Sequence, residues 1–316
     1  MLPTDFDLSC IGETMYGVPV VTSGTDASAL FTARDENSRK GQNGKTLVVG
    51  GSYLYHGAPI LSSLAALRFG SDLVYTAVPK HNVSATRAAS PDLIVVPMAD
   101  AKLTRGSASK LLGMLPVGLD SAAIGMGLAV AERGALLKLV KSLIEMDVRL
   151  VLDASALVPD VLPLLPNSNC IVTPHPGEFE HLFGAAVPPA SDMDSRIRVV
   201  SKHASDHRVT VLLKGRTDVI SDGTDTCLCS TGVPGMTVGG TGDVLAGVAA
   251  GALAACRNPM QAAVAAAYTN GRAGEIAASG RGHHLLASDL IEEIPAAVFE
   301  YDRIDARGRA ESGDGA

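Results

Sequence analysis

The sequence lacks any apolar run long enough to cross a bilayer, any excess of basic charge and any CxxC pair. Its longest charge-free apolar stretch, Val244 to Cys256, falls short of the roughly 20 residues a spanning helix needs. That stretch is mostly Ala and Gly and reads as a buried helix, so no membrane association is expected. With 26 Lys and Arg against 33 Asp and Glu, the net charge of −7 offers no basic face to a polyanion, which argues against nucleic acid as a partner. A small anionic ligand needs only a few local donors and is not excluded. The five cysteines (Cys10, Cys170, Cys227, Cys229 and Cys256) are odd in number and do not suggest a disulfide framework. Cys227 and Cys229 would share one face of a strand, but a zinc site needs more ligands, so they read as two small buried side chains. No basic region followed by an apolar stretch opens the chain, so a secretory signal is not expected and the cytoplasm is the default.

What is present is enough apolar material for a large core: 47% hydrophobic against 19% charged residues over 316 positions. Short β-branched runs alternate with Ala/Leu-rich helical stretches between about residues 45 and 215, the pattern of parallel βα units. Strands are expected at Lys45–Val49, Leu73–Val78, Leu93–Val96, Ala122–Ile124, Arg149–Leu152, Cys170–Val172 and Val209–Leu213. Helices are expected at Ala58–Phe69, Ala131–Glu145 and Arg196–Ala204. A hairpin follows, Asp218–Ile220 and Thr226–Cys229 about the turn Ser-Asp-Gly-Thr. Three more helices come after it, Asp243–Cys256, Met260–Ala278 and Ser288–Phe299. Residues 1–30 read as an irregular lead, 31–300 as one α/β domain and 301–316 as a disordered tail.

The most informative segment is Gly239-Gly240-Thr241-Gly242-Asp243, leading straight into a helix. Glycines at a helix start allow close backbone approach, and free N–H groups with the helix dipole hold phosphate oxygens. Asp243 in the first turn is either a cap or the base that deprotonates a hydroxyl attacking a phosphoryl group. Neither GxxxxGK[ST] nor a strand followed by GxGxxG occurs, so P-loop and Rossmann readings lose ground. Thr173-Pro174-His175-Pro176-Gly177-Glu178 closes another strand, where open α/β sheets place ligands, and His175 and Glu178 meet if Glu178 begins a helix. Lys214-Gly215-Arg216-Thr217-Asp218 follows a third strand and reads as a nucleotide contact or a basic hairpin entry. Gly50-Gly51-Ser52, Gly57-Ala58-Pro59 and Gly125-Met126-Gly127 add flexible backbone at further strand ends.

In their order and spacing, from about Arg34 to Phe299, these blocks resemble the ADP/ATP-dependent NAD(P)H-hydrate dehydratases of the ribokinase-like superfamily. Arg39-Lys40-Gly41, Gly44 and Leu47 to Ser52 look like that family's opening. The resemblance implies a ribokinase-like three-layer α/β/α sandwich with a mostly parallel central sheet. It implies a lyase that repairs hydrated NADH and NADPH, with Mg²⁺ and with ADP, or else ATP, as co-substrate. Asp243 takes the catalytic position beside Gly240, Thr241 and Gly242; Lys214, Gly215, Arg216, Thr217, Asp218 and Gly242 face the nucleotide. Ala58, Gly127, His175 and Asp243 face the hydrated nicotinamide nucleotide, and Glu178 would organise the metal through water. Arg39, Ala129 and Asn270 depart from residues usual in the family. Many members carry a preceding epimerase domain; too little chain precedes Lys45 for one, so a separate epimerase is the expected functional partner, and the chain is expected to form a homo-oligomer. Competing readings are a vitamin or sugar kinase on the same fold and a non-catalytic nucleotide sensor.

Overall fold

The computed structural model describes residues 8, 11–166 and 168–305. In chain order, the strands and helices are β1 (Thr14–Met15), β2 (Val18–Val21), β3 (Arg34–Asp35), β4 (Lys45–Val49), α1 (Gly57–Phe69), β5 (Leu73–Pro79), α2 (Val83–Ala89) and β6 (Ile94–Met98). There follow α3 (Arg105–Leu112), β7 (Ser121–Ile124), α4 (Arg133–Glu145), β8 (Arg149–Leu152), β9 (Ile171–Val172), α5 (Pro176–Phe183), α6 (Met193–His207) and β10 (Thr210–Leu213). The chain continues with β11 (Asp218–Ser221), β12 (Thr226–Cys229), α7 (Thr241–Cys256), α8 (Pro259–Arg281), α9 (Ala287–Val298) and β13 (Ile304–Asp305).

Eleven strands form one sheet in the order β1-β2-β12-β11-β10-β9-β8-β7-β4-β5-β6. Every pair from β10 to β6 is parallel, so the C-terminal ends of β4, β5, β7, β8, β9 and β10 lie on one edge. Period-2 alternation divides the sheet between two cores. Val48, Val74, Ala123, Val151 and Leu212 pack with α1, α7, α8 and α9, while Leu47, Val49, Ile124, Leu150 and Leu213 pack with α3, α4, α5 and α6. Helices on both faces make a three-layer α/β/α sandwich. The chain order reverses at β4, whose neighbours are β5 on one side and β7 on the other, and such a switch point opens a crevice at the strand ends.

The structure adds elements that composition did not announce. The expected irregular lead supplies β2, which pairs in parallel with β12 and extends the sheet. Proline is disfavoured inside a sheet but tolerated close to its edge, and the strand that carries Pro19 has only β1 beyond it. At the other end, Ile304 and Asp305 pair with Arg34 and Asp35, within a segment expected to be disordered; the rest of that tail lies outside the described residues. The short helices α2 and α3, seven and eight residues long, carry too few turns for a periodic signal. Cys227 and Cys229 are indeed buried on one face, and no group of three or more metal-ligating side chains occurs among the described residues. Among those residues no helix is long and apolar enough to cross a membrane.

Candidate active site

The glycine-rich helix start, the Pro-flanked histidine loop and the lysine turn all emerge on the C-terminal edge of the sheet. Helix α7 begins at Gly240 (φ +100°), a conformation glycine adopts without strain, and no side chain caps it. Side chains cap α3, α5, α6 and α8, whereas α1, α2 and α4 also start without one. The first N–H groups of α7 therefore stay available, and the positive end of its dipole faces the cleft. Close helix packing sets this position: a Cβ on Gly247 would lie 2.1 Å from the carbonyl oxygen of Ser62 on α1. The Ser62 hydroxyl in turn bonds the carbonyl oxygens of Asp243 (2.7 Å) and Ala58 (3.2 Å), joining the first turns of the two helices.

Asp243 stands in that first turn, half-buried, and its carboxylate makes no hydrogen bond among the described residues. It does not act as the helix cap. Burial, with repulsion from Asp153, pushes its carboxyl up to about 6, against the pull of Lys214. Lys214 continues the ladder beyond β10, its N–H donating to the Pro174 carbonyl at 2.9 Å. Its ammonium lies 2.9 Å from Asp153 Oδ1 and 3.5 Å from Glu178 Oε2, and 3.7 Å from where a Cβ on Gly242 would sit. Burial alone would lower the lysine, but Asp153 and Glu178 outweigh it and hold the ammonium above its ordinary value. A fixed cation thus faces the uncapped helix start, an arrangement suited to phosphate oxygens.

Asp153 was not singled out from the sequence. It follows β8 directly, is only 3% exposed, and accepts from Thr173 Oγ1 (2.8 Å) as well as from Lys214. The signal that could have found it is a carboxylate placed just past an apolar strand, in the same way that Lys214 follows β10. At the switch point, Gly127 (φ +63°) brings its backbone against Tyr55 and Ala58; a Cβ on it would lie 3.1 Å from Ala58 Cβ. Two of the expected substrate-facing positions are therefore neighbours.

His175 caps α5: its Nδ1 accepts from the N–H groups of Gly177 (3.1 Å) and Glu178 (3.2 Å), which puts the imidazole proton on Nε2. Glu178 Oε2 accepts from the His175 N–H, and Oε1 lies 3.6 Å from Nε2. The two do meet, because the helix starts at Pro176, but His175 is exposed and its described contacts stay within its own loop. In the lysine turn, Asp218 Oδ1 accepts from the Gly215 N–H at 2.8 Å and closes the loop. Burial pushes its carboxyl up to about 7, opposed by that hydrogen bond and by Lys214. Thr217 shares a hydrogen bond with Ser230 (3.3 Å), and Arg216 is exposed with no ion pair among the described residues.

The model of the family described as NAD(P)H-hydrate dehydratase matches residues 46–296. An ADP-dependent (S)-NAD(P)H-hydrate dehydratase of Cenarchaeum symbiosum is 59% identical over 280 residues, covering 89% of this chain and 97% of that protein. The ADP/ATP-dependent NAD(P)H-hydrate dehydratase of Bacillus subtilis, crystallised with ATP and Mg²⁺, superposes with a TM-score of 0.75 at 28% identity, covering 87% and 96% of the two chains. A ribokinase-like protein of Enterococcus faecalis, at 22% identity and a TM-score of 0.76 over 92% of this chain and 99% of that one, shares the fold.

Proposed function

The chain belongs to the NAD(P)H-hydrate dehydratase family, and from that premise we propose that it is an ADP-dependent (S)-NAD(P)H-hydrate dehydratase, a lyase that restores hydrated NADH and NADPH. The observation that carries this reading is Asp243: an uncapped helix start, a carboxyl raised to about 6 and a fixed ammonium nearby.

The hydroxyl on C6 of the hydrated ring attacks the terminal phosphoryl group of ADP. Asp243 accepts the hydroxyl proton; a base whose pKa lies near working pH is both ionised and able to hold that proton. The N–H groups of Thr241, Gly242 and Asp243 stabilise the charge on the transferring group, while Lys214 holds the nucleotide phosphates in ground state and transition state alike. AMP departs. The lone pair of the ring nitrogen then expels phosphate from C6, and loss of a C5 proton restores the dihydropyridine; hydroxide would leave far less readily. The products are NAD(P)H, AMP and phosphate. Ala58 and Gly127, packed against each other at the switch point, would face the hydrated ring, with His175 at the rim. Gly215 to Asp218 support the nucleotide.

Asp153 and Glu178 lie beside the proposed phosphate site, and two carboxylates suffice for Mg²⁺, which otherwise prefers phosphates and water. Glu178 would reach its waters, and the ion would supply neutralisation of phosphate charge. An epimerase activity that feeds the S epimer is the functional partner this activity calls for. The test is an assay of hydrated NADH with ADP and with ATP, following absorbance at 340 nm and identifying the nucleotide product. Recovery of absorbance with formation of AMP is expected. A phosphorylated product without recovery would make the protein a kinase, and binding without turnover would make it a sensor.

A further inference from the structure

We propose that Arg196, on α6, is part of the nucleotide site, with a phosphate group of the nucleoside diphosphate as its missing partner; the inference rests on the nucleotide reading above. Arg196 is 6% exposed, yet its Nε is buried without a hydrogen-bond partner. No ion pair reaches it among the described residues: Asp192, one turn earlier, spends its carboxylate on the Ser195 N–H. Burial pulls the guanidinium below its ordinary value, and no neighbouring charge offsets that. The residue also sits near the N-terminus of its helix, where the dipole disfavours positive charge. A buried donor of a cation left without a partner, in an unfavourable helix field, costs stability in the free protein, and a ligand that supplies the partner would recover it.

Its position says what that is. Arg196 Nη2 lies 3.6 Å from where a Cβ on Gly215 would be, so the guanidinium is packed against the lysine turn at the C-terminal edge of the sheet. The neighbouring Lys214 is held by two carboxylates, and Arg196 by none. An oxyanion bound at this turn would satisfy the unused donors of the guanidinium, and phosphate matches their forked geometry. Sequence reasoning missed Arg196 because one cation in an amphipathic helix looks like part of a solvated face.

The test uses R196M and R196K, with thermal unfolding of the ligand-free protein and calorimetric titration with ADP. R196M is expected to keep or raise the melting temperature, because it removes an uncompensated charge, while Kd for ADP rises about 10- to 100-fold. R196K, keeping charge but not the fork, should fall between R196M and wild type. An ADP affinity within about twofold of wild type in R196M would overturn the inference, since a charged hydrogen bond contributes more than that. A drop in melting temperature in both variants in step with weaker binding would overturn it too, assigning Arg196 to support of the turn. Wild-type protein that binds no ADP and yields no NADH would instead sink the nucleotide reading itself.

Discussion

Two buried arginines mark the opposite edges of the central sheet, and they are treated differently. At the N-terminal edge Arg149 is 8% exposed and fully engaged: Nη1 donates to the Leu253 carbonyl at the end of α7 (2.9 Å), Nε to the Asp120 carbonyl (3.0 Å), and Nη2 lies 3.4 Å from the Asp120 carboxylate. The second Asp120 oxygen accepts from the Lys45 N–H at 2.9 Å, so one carboxylate ties together the starts of β4, β7 and β8. At the C-terminal edge Arg196 has no ion pair among the described residues and its Nε is unsatisfied, Asp243 is protonated more readily than an ordinary carboxyl, and α7 starts without a side-chain cap. The same sheet is electrostatically closed at one end and open at the other. Groups left unsatisfied in a ligand-free fold are where ligand free energy can be collected, whereas satisfied ones hold the fold together.

The sharpest way to break this contrast is D243N. Asn matches Asp as a helix-start residue but cannot accept the proton, so turnover should fall about 10²- to 10⁴-fold. ADP affinity should hold or improve, because a carboxylate repels phosphate. Parallel 340 nm and calorimetric assays decide it, and near-normal turnover would remove Asp243 from the chemistry. At the closed edge the balance reverses: D120A leaves Arg149 buried without a counter-charge and should cost about 3 kcal/mol of stability in urea denaturation. Its kcat at a temperature where it stays folded should match wild type; a selective loss of kcat would show that the two edges are coupled.

K214M should raise KM for ADP about tenfold with a smaller change in kcat, since a charged hydrogen bond to phosphate is lost. Unequal initial rates at low ADP but not at saturating ADP would support this.

A pH series sharpens the role of Asp243 further. Its carboxyl is raised to about 6, so kcat/KM should drop about tenfold per unit below that value as the base is protonated. For stability, the native state holds this proton more tightly than the unfolded chain. The contribution is therefore full below the ordinary aspartate value and is lost as pH rises through about 6. D243N should accordingly melt above wild type at about pH 8 and alongside it at about pH 4, near the ordinary aspartate value. The smallest effect belongs to H175A, which loses the α5 cap and about 1 kcal/mol of stability. It should weaken use of the hydrated dinucleotide more than binding of ADP; equal weakening of both would merge the two halves of the cleft.

Much of this was legible before any coordinates. Lys45–Val49 and Arg149–Leu152 coincide with observed strands because continuous apolar β-branched runs permit little else once both faces of a sheet are covered. Glycine and proline marked helix starts for a local reason, since Gly240 needs a positive φ and Pro176 opens α5. The lead strand Val18–Val21 was hidden by Pro19, which propensity alone counts against a strand. Arg196 was hidden for a different reason: it is an ordinary charged residue in an amphipathic helix and carries no local pattern. Asp153 carried only the weak signal of a carboxylate just past an apolar strand, and nothing local tied it to Lys214.

The sequence by itself determined the alternation of strands and helices, the edge on which the glycine, histidine and lysine blocks emerge, and the family to which those blocks point. These are local properties, set by periodicity and backbone freedom over a few residues. Only the tertiary structure decided that Asp153 holds Lys214 against the start of α7, that Asp243 caps nothing, and that Arg149 is paired while Arg196 is not. Burial and charge pairing join residues tens of positions apart in the chain, and their free energies depend on distance and desolvation that no single segment encodes.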